Sequence, residues 1–297
     1  MAENELDPTK LSFSQAQGYE PLPQRLKLEE LSRKARVRFW NVLYEQVRAE
    51  LNNGPYGPYL SGFVWNRLLR SAHINFFDNP SDEWNSQFVK FKSIYKPFFL
   101  ESSFHEVFDL LIFLMRQQGR PQGFVREVGK VFRDCRLAYI LDESYPPTIY
   151  PAATPQEGEA IIESSKRLRE TGLGGAQQHL ANAATCINNG DWADSVRESI
   201  NAVESVARQV APGAEKTLGK ALWKLEDEGV LQHRALREAF GALYGYTSDE
   251  QGVRHPLLEQ DTPNVGLDEA VFMLGACASF ASYLCRKQQA LPGEGGA

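Results

Sequence analysis

The sequence predicts an all-α protein built from two helical blocks, and three observations carry that expectation. Apolar residues recur at three- to five-residue steps over most of the chain, the spacing of one helix face. Glycine and proline bound these stretches, and only residues 139–155 read as extended. At 297 residues, 42% hydrophobic and 11% aromatic, the chain can fill a sizeable core, and about 100–200 residues per domain makes two domains the expected number.

The first block covers residues 1–150. Its leading helix is expected over 26–51, where Leu28, Leu31, Ala35, Phe39, Val42 and Val47 form the stripe and Asn53-Gly54-Pro55 stops it. Further helices are expected near 60–78, 82–97, 102–118 and 121–138, with Ser81 as an N-cap and Pro97 as a stop or kink. Residues 139–155 hold four prolines around an Ile-Leu and a Thr-Ile-Tyr run, which reads as a short extended pair or linker closing the block.

The second block, 151–297, predicts helices over 156–171, 176–188, 191–210, 215–228, 235–244 and 267–287. Asp191 is the N-cap candidate of the third, and Trp192, Val196, Ile200, Val203 and Ala207 form its apolar face. Gly172-Leu173-Gly174-Gly175 follows a helix rather than a strand, so it reads as a helix–helix turn and not as a phosphate loop. Residues 245–266, broken by Gly252, Pro256 and Pro263, read as a long polar loop of the kind that is usually functional or disordered. The uncharged stretch from Ala270 to Cys285 is shorter than the ~20 residues a bilayer needs, and its small residues suit a central core helix.

Charge divides the blocks. Residues 1–150 hold 19 basic and 18 acidic side chains, whereas 151–297 hold 13 and 20. A net charge of −6 excludes a uniformly basic nucleic-acid coat but leaves room for a local basic site. Arg33, Lys34, Arg36 and Arg38 are the densest such cluster, either a solvated face or an RNA or partner surface. The N-terminus lacks a basic n-region and an apolar stretch, so a cytoplasmic protein without a membrane partner is expected. Cys277 and Cys285 sit eight apart in an apolar helix and read as buried free thiols.

No Walker loop, H-E-x-x-H or G-x-S-x-G is present, which argues against those nucleotide, zincin and hydrolase chemistries. The five histidines are too scattered to announce a metal site, and no cofactor is demanded. His73, His105, His179 and His233 read as helix-surface or core residues. His255 differs: it follows Arg254 and precedes Pro256 in the long loop, where proline disfavours the helical backbone. An imidazole beside a fixed cation can move the 2′-hydroxyl proton of RNA and offset charge on the phosphate without a metal; a loop or ligand contact is the plainer alternative.

Phe13-Ser14-Gln15-Ala16-Gln17-Gly18-Tyr19, the run Arg36-Val37-Arg38-Phe39-Trp40-Asn41-Val42-Leu43, and the stretch from Val128 to Pro151 resemble the AbiJ-type abortive-infection N-terminal domain. The second block is similar to a HEPN domain (higher eukaryotes and prokaryotes nucleotide-binding) through Asp194–Ser205, Leu243-Tyr244-Gly245-Tyr246, Gly252-Val253-Arg254-His255 and the Ala270–Leu284 helix. This resemblance implies a helical bundle that dimerises through its C-terminal domain, often as a metal-independent ribonuclease toxin in phage defence, with the N-terminal domain as sensor or adaptor. It implies RNA, tRNA included, as the substrate, and a phage trigger or protein partner. The family's R-x4-6-H signature is not matched, because Arg254 is adjacent to His255.

Around that pair, Arg197 and Glu204 match the polar helix face that lines the HEPN cleft, or else form a surface ion-pair ladder with Asn201 and Arg208. Asp249 and Glu250 could orient His255, and Tyr244 and Tyr246 could stack on bases or pack in the core. Two functions follow: a homodimeric endoribonuclease using Arg254, His255, Arg197 and Glu204, or a non-catalytic module binding RNA, a nucleotide or a protein.

Overall fold

A computed structural model describes residues 13–17, 19, 27–211, 218–249 and 265–290. About 70% of it is helical, with two small two-stranded sheets, so the fold is all-α.

After a single turn, α1 (Phe13–Ala16), the first long helix is α2 (Arg33–Arg48). It begins later than the apolar stripe because Ser32 caps it, its hydroxyl accepting from the Ala35 amide at 3.2 Å. Leu28 and Leu31 still pack against the core, but from the preceding turn. Past α2 the chain forms a hairpin that helical periodicity missed: β1 (Leu51–Gly54) pairs antiparallel with β2 (Gly57–Leu60), Leu51 opposite Leu60. The two-residue connection Pro55-Tyr56 ends at Gly57, whose φ of +97° only glycine adopts readily.

Next come α3 (Phe63–Asn75), α4 (Phe88–Glu101), α5 (Phe104–Arg116) and α6 (Gln122–Asp134). Ser81 opens a short 3-10 turn, Ser81–Glu83, rather than α4, which starts at Phe88. Pro97 does not end α4; its exposed ring is accommodated, and the hydrogen bond it removes is the one to Ser93. A capping box of Ser103 and Glu106 opens α5. Phe39, Trp65, Phe99, Phe108, Phe124 and Phe132 fill the aromatic core of these helices.

The proline-rich stretch is an antiparallel hairpin, β3 (Tyr139–Asp142) on β4 (Thr148–Pro151), as the extended reading expected. Tyr139, Leu141 and Ile149 face the first core, while Tyr150 enters a second one. That second core is made by α7 (Pro155–Glu170), α8 (Gly174–Asn189), α9 (Trp192–Val210), α10 (Leu218–Asp227), α11 (Arg234–Asp249) and α12 (Leu267–Ala290). Thr154 and Glu157 form the capping box of α7, and Gly172 (φ +77°) turns the chain into α8, the expected helix–helix turn.

Leu267–Gln288 of α12 is by length and composition apolar enough to cross a bilayer. Here Ala270, Leu274, Ala278, Ala281 and Leu284 are fully buried, and α12 packs against α7, α8 and α9, the position of a core helix. Helix α11 runs five residues beyond the expected end at Tyr244, into the start of the supposed loop.

One buried ion pair ties the β3–β4 hairpin to α7. Asp142, 2% exposed, accepts from Arg169 at 2.9 Å, and Arg169 also donates to Ser165 and Ser144. The Tyr150 and Ser165 hydroxyls lie 3.2 Å apart beside it.

Candidate functional site

Helix α9 is amphipathic in a way that builds a furrow. Val196, Ile200, Val203, Val206 and Ala207 are buried, so the residues between them, Asp194, Arg197, Glu198, Asn201, Glu204 and Arg208, recur at three- and four-residue steps along the opposite edge. Helix α8 supplies the other wall. Its Ala176, Ala183 and Ala184 are small and fully buried, which lets α9 approach closely, and His179, Asn182 and Cys186 line the rim at helical spacing.

The result is two adjoining polar depressions. One, of about 470 Å³, is lined by His179, Asn201, Glu204, Ser205, Arg208 and Gln209. The other, of about 280 Å³, is lined by Asn182, Thr185, Cys186, Asp194, Arg197 and Glu198. Between them sits a hydrogen-bonded centre. The Glu198 carboxylate meets His179 Nδ1 at 2.8 Å and accepts from Asn182 at 3.2 Å and Asn201 at 3.5 Å. Burial by itself would raise the Glu198 carboxyl, but these bonds outweigh it and hold the group below the usual carboxylate range. Glu198 is thus an anion at neutral pH that fixes the imidazole by one nitrogen.

Arg197 pairs with Asp194 at 2.6 Å, and Glu204 pairs with Arg208 at 3.2 Å. Both residues therefore lie on the furrow face, two turns or about 10 Å apart along the helix axis, and both also take part in a ladder of neighbouring ion pairs. Asp191 precedes α9 at the N-cap position, but its side chain makes no capping bond. The Cys186 thiol is pushed up to about 11 by burial and then by Asp194, Asp191 and Glu198, so it is protonated at neutral pH and no nucleophile.

Arg254 and His255, with Glu250, lie outside the described residues, and Tyr246 and Asp249 are placed on α11 by backbone alone. Tyr244 is half-buried against the second core. The basic cluster at the start of α2 splits by role. Arg36 donates to the carbonyls of Leu31, Phe99 and Ser102, tying α2 to the end of α4. Arg38 pairs with Asp134 of α6 at 3.7 Å, while Arg33 and Lys34 are exposed.

The other histidines do local work. His73 is buried with Nε2 3.0 Å from the Pro80 carbonyl, His233 accepts from the Ala235 amide at the start of α11, and His105 is exposed. Among the described residues, no three His, Cys, Asp or Glu side chains group as a metal site. What sequence spacing missed is the His179–Glu198 contact. The two residues are 19 apart on different helices, and no periodicity pairs α8 with α9. The available signal was Glu198 itself, an acid on the polar stripe between Arg197 and Asn201.

The sequence model of a family described as AbiJ N-terminal domain 4 matches residues 11–166, just over half of the chain. The match runs past β4 and covers most of α7. No curated protein and no solved structure matches the chain.

Proposed function

This chain belongs to the AbiJ N-terminal domain 4 family, and from that premise we propose that it is an antiviral effector of abortive infection whose second helical block is a HEPN-like endoribonuclease acting without metal. In this reading residues 1–150 form the sensor or adaptor, and residues 151–297 form the catalytic block and the homodimer contact. The protein acts in the cytoplasm on RNA, tRNA among the substrates, when a phage trigger or protein partner releases it.

One observation supports the RNA-directed part: among the described residues, Glu204 and Arg197 of α9 line two adjoining polar depressions. Such a face offers guanidinium donors to phosphate and acceptors to ribose hydroxyls. His255 would exchange the proton of the 2′-hydroxyl or of the leaving oxygen, and Arg254 would offset the charge on phosphorus. A second reading, a non-catalytic module that binds RNA, a nucleotide or a protein, draws on the adjacency of Arg254 and His255, since neighbouring side chains in an extended segment point to opposite sides.

The deciding test incubates the purified protein with total RNA and tRNA in EDTA, beside His255→Ala and Arg254→Ala. Cleavage by the unmodified protein, lost in both variants while they stay folded, supports the ribonuclease. Binding without turnover supports the module, and undiminished cleavage by the variants moves the chemistry away from this pair.

A further inference from the structure

Three arginines of the first block meet at the turn between α5 and α6. Arg67 of α3 donates to the Gln118 carbonyl, and its guanidinium fills the space that a Cβ on Gly119 would take. Arg120, the next residue of that turn, stands over the Tyr145 ring with its guanidinium carbon 5.1 Å from the centroid. Arg116, at the end of α5, donates through Nε to the Pro147 carbonyl at 3.1 Å. Tyr145 and Pro147 both lie in the short connection between β3 and β4, so the three side chains border one rim. Among the described residues, none of the three forms an ion pair. The acids of the connection are committed elsewhere, Glu143 to Arg133 at 3.1 Å and Asp142 to Arg169 at 2.9 Å. Arg120 Nε is shielded and has no acceptor, so the ring alone holds this guanidinium and no carboxylate must be displaced from it. Like charges gathered without a counter-charge repel one another, and an anion relieves that cost. Helix α6 adds to the same field: it starts directly after Pro121 with no capping side chain and no acid in its first turn, and the space beside Gly123 is open.

We propose that this rim binds the phosphate dianion of a small ligand, with Arg67, Arg116 and Arg120 supplying forked donors to its oxygens. Charge narrows the class. A terminal phosphate carries close to two negative charges above its second pKa of about 6, whereas a diester or a carboxylate carries one, so three unneutralised cations favour the former. Two sources share that chemistry: inorganic phosphate, and a nucleoside monophosphate whose base lies on Tyr145, which is 63% exposed. The site is formed by α3, the α5–α6 turn and the β3–β4 connection, apart from the furrow of α8 and α9, and it stands whether or not the protein cleaves RNA. An anion held there fastens the turn to the connection that leads into β4, whose Tyr150 enters the second core. Occupancy of the first block therefore stabilises the junction between the two blocks.

The test is calorimetric titration of the full chain at a pH about two units above that second pKa and at fixed ionic strength, with inorganic phosphate, AMP, dimethyl phosphate and sodium chloride as separate probes. The expected result is saturable binding of phosphate or AMP and none of chloride. Dimethyl phosphate, a singly charged diester, should bind about tenfold more weakly or worse, and Arg120→Gln and Arg67→Gln should each weaken the dianion about tenfold or more, the loss of a charge-assisted bond. Urea midpoints of both variants, measured without ligand, show that they remain folded, and Arg120→Lys, which keeps the charge but not the fork, should fall between them and the unmodified protein. Equal affinity for phosphate and AMP assigns recognition to the phosphoryl group alone. Tighter AMP, with the excess lost in Tyr145→Leu, assigns a nucleotide. The proposal is overturned if neither dianion saturates, if the diester binds as well as the dianions, or if the folded variants bind unchanged.

Discussion

Arg36 shows how a residue type can be legible while its role is not. Its place in a basic run points outward, yet its guanidinium bonds three backbone carbonyls, two of them at the end of α4. Such bidentate geometry is not available to lysine, so Arg36→Lys should lower the melting temperature and cost about 1–3 kcal/mol in urea unfolding, while Lys34→Ala, on an exposed side chain, should leave stability nearly unchanged. Glu198 makes a prediction with a sign. Its carboxyl is held below the usual range in the fold, so the bonds it accepts contribute stability above the unfolded carboxylate pKa and lose it as pH falls through the lower folded value. Urea midpoints of the protein and of Glu198→Gln should therefore differ near pH 7 and converge in acid. A gap of constant size across that range would mean that the glutamine changes packing rather than charge.

Among the elements, those with a strong apolar stripe were readable and those set by local chemistry were not. Helices α5 to α9 fall within a few residues of their expected bounds, because burial of one face fixes both length and phase. The β1–β2 hairpin escaped because four-residue strands rich in Asn and Gly carry no alternation to detect. Pro97 escaped for the opposite reason: the rule against interior proline is an energy, and tertiary packing of Phe91, Tyr95 and Phe99 overrides it. Pro97→Ala should then restore a helical bond on an exposed face and raise stability, by up to about 3 kcal/mol, in thermal melts. The Asp142–Arg169 pair belongs to this scale too, since it fastens a hairpin to a helix. Arg169→Met strands a carboxylate that is 2% exposed, and denaturant unfolding should show a loss of about 3–5 kcal/mol.

For the molecule as a whole, the sequence's division at residue 150 follows the shift in charge, whereas the packing is woven across it. Tyr150 lies in the second core although its neighbour Ile149 lies in the first, and the family match continues to residue 166. Fragments 1–150 and 151–297 would each lose the Asp142–Arg169 and Tyr150–Ser165 contacts. Both should unfold at lower urea than the intact chain, and equal midpoints would show that the hairpin contributes nothing across the cut. Of the candidate site, the stripe on α9 was visible in the spacing, but its pairing with α8 was not, because contacts between helices depend on crossing geometry that no single-helix period encodes.

The sulfur chemistry of α12 gives this architecture a built-in clock. Burial pushes the Cys277 thiol up to about 12 and raises Cys285 as well, so neither offers much thiolate to an electrophile while the helix is seated. Alkylation at these two positions then counts the excursions in which α12 lifts away, and its rate with iodoacetamide reads the opening free energy of the second core residue by residue, without denaturant.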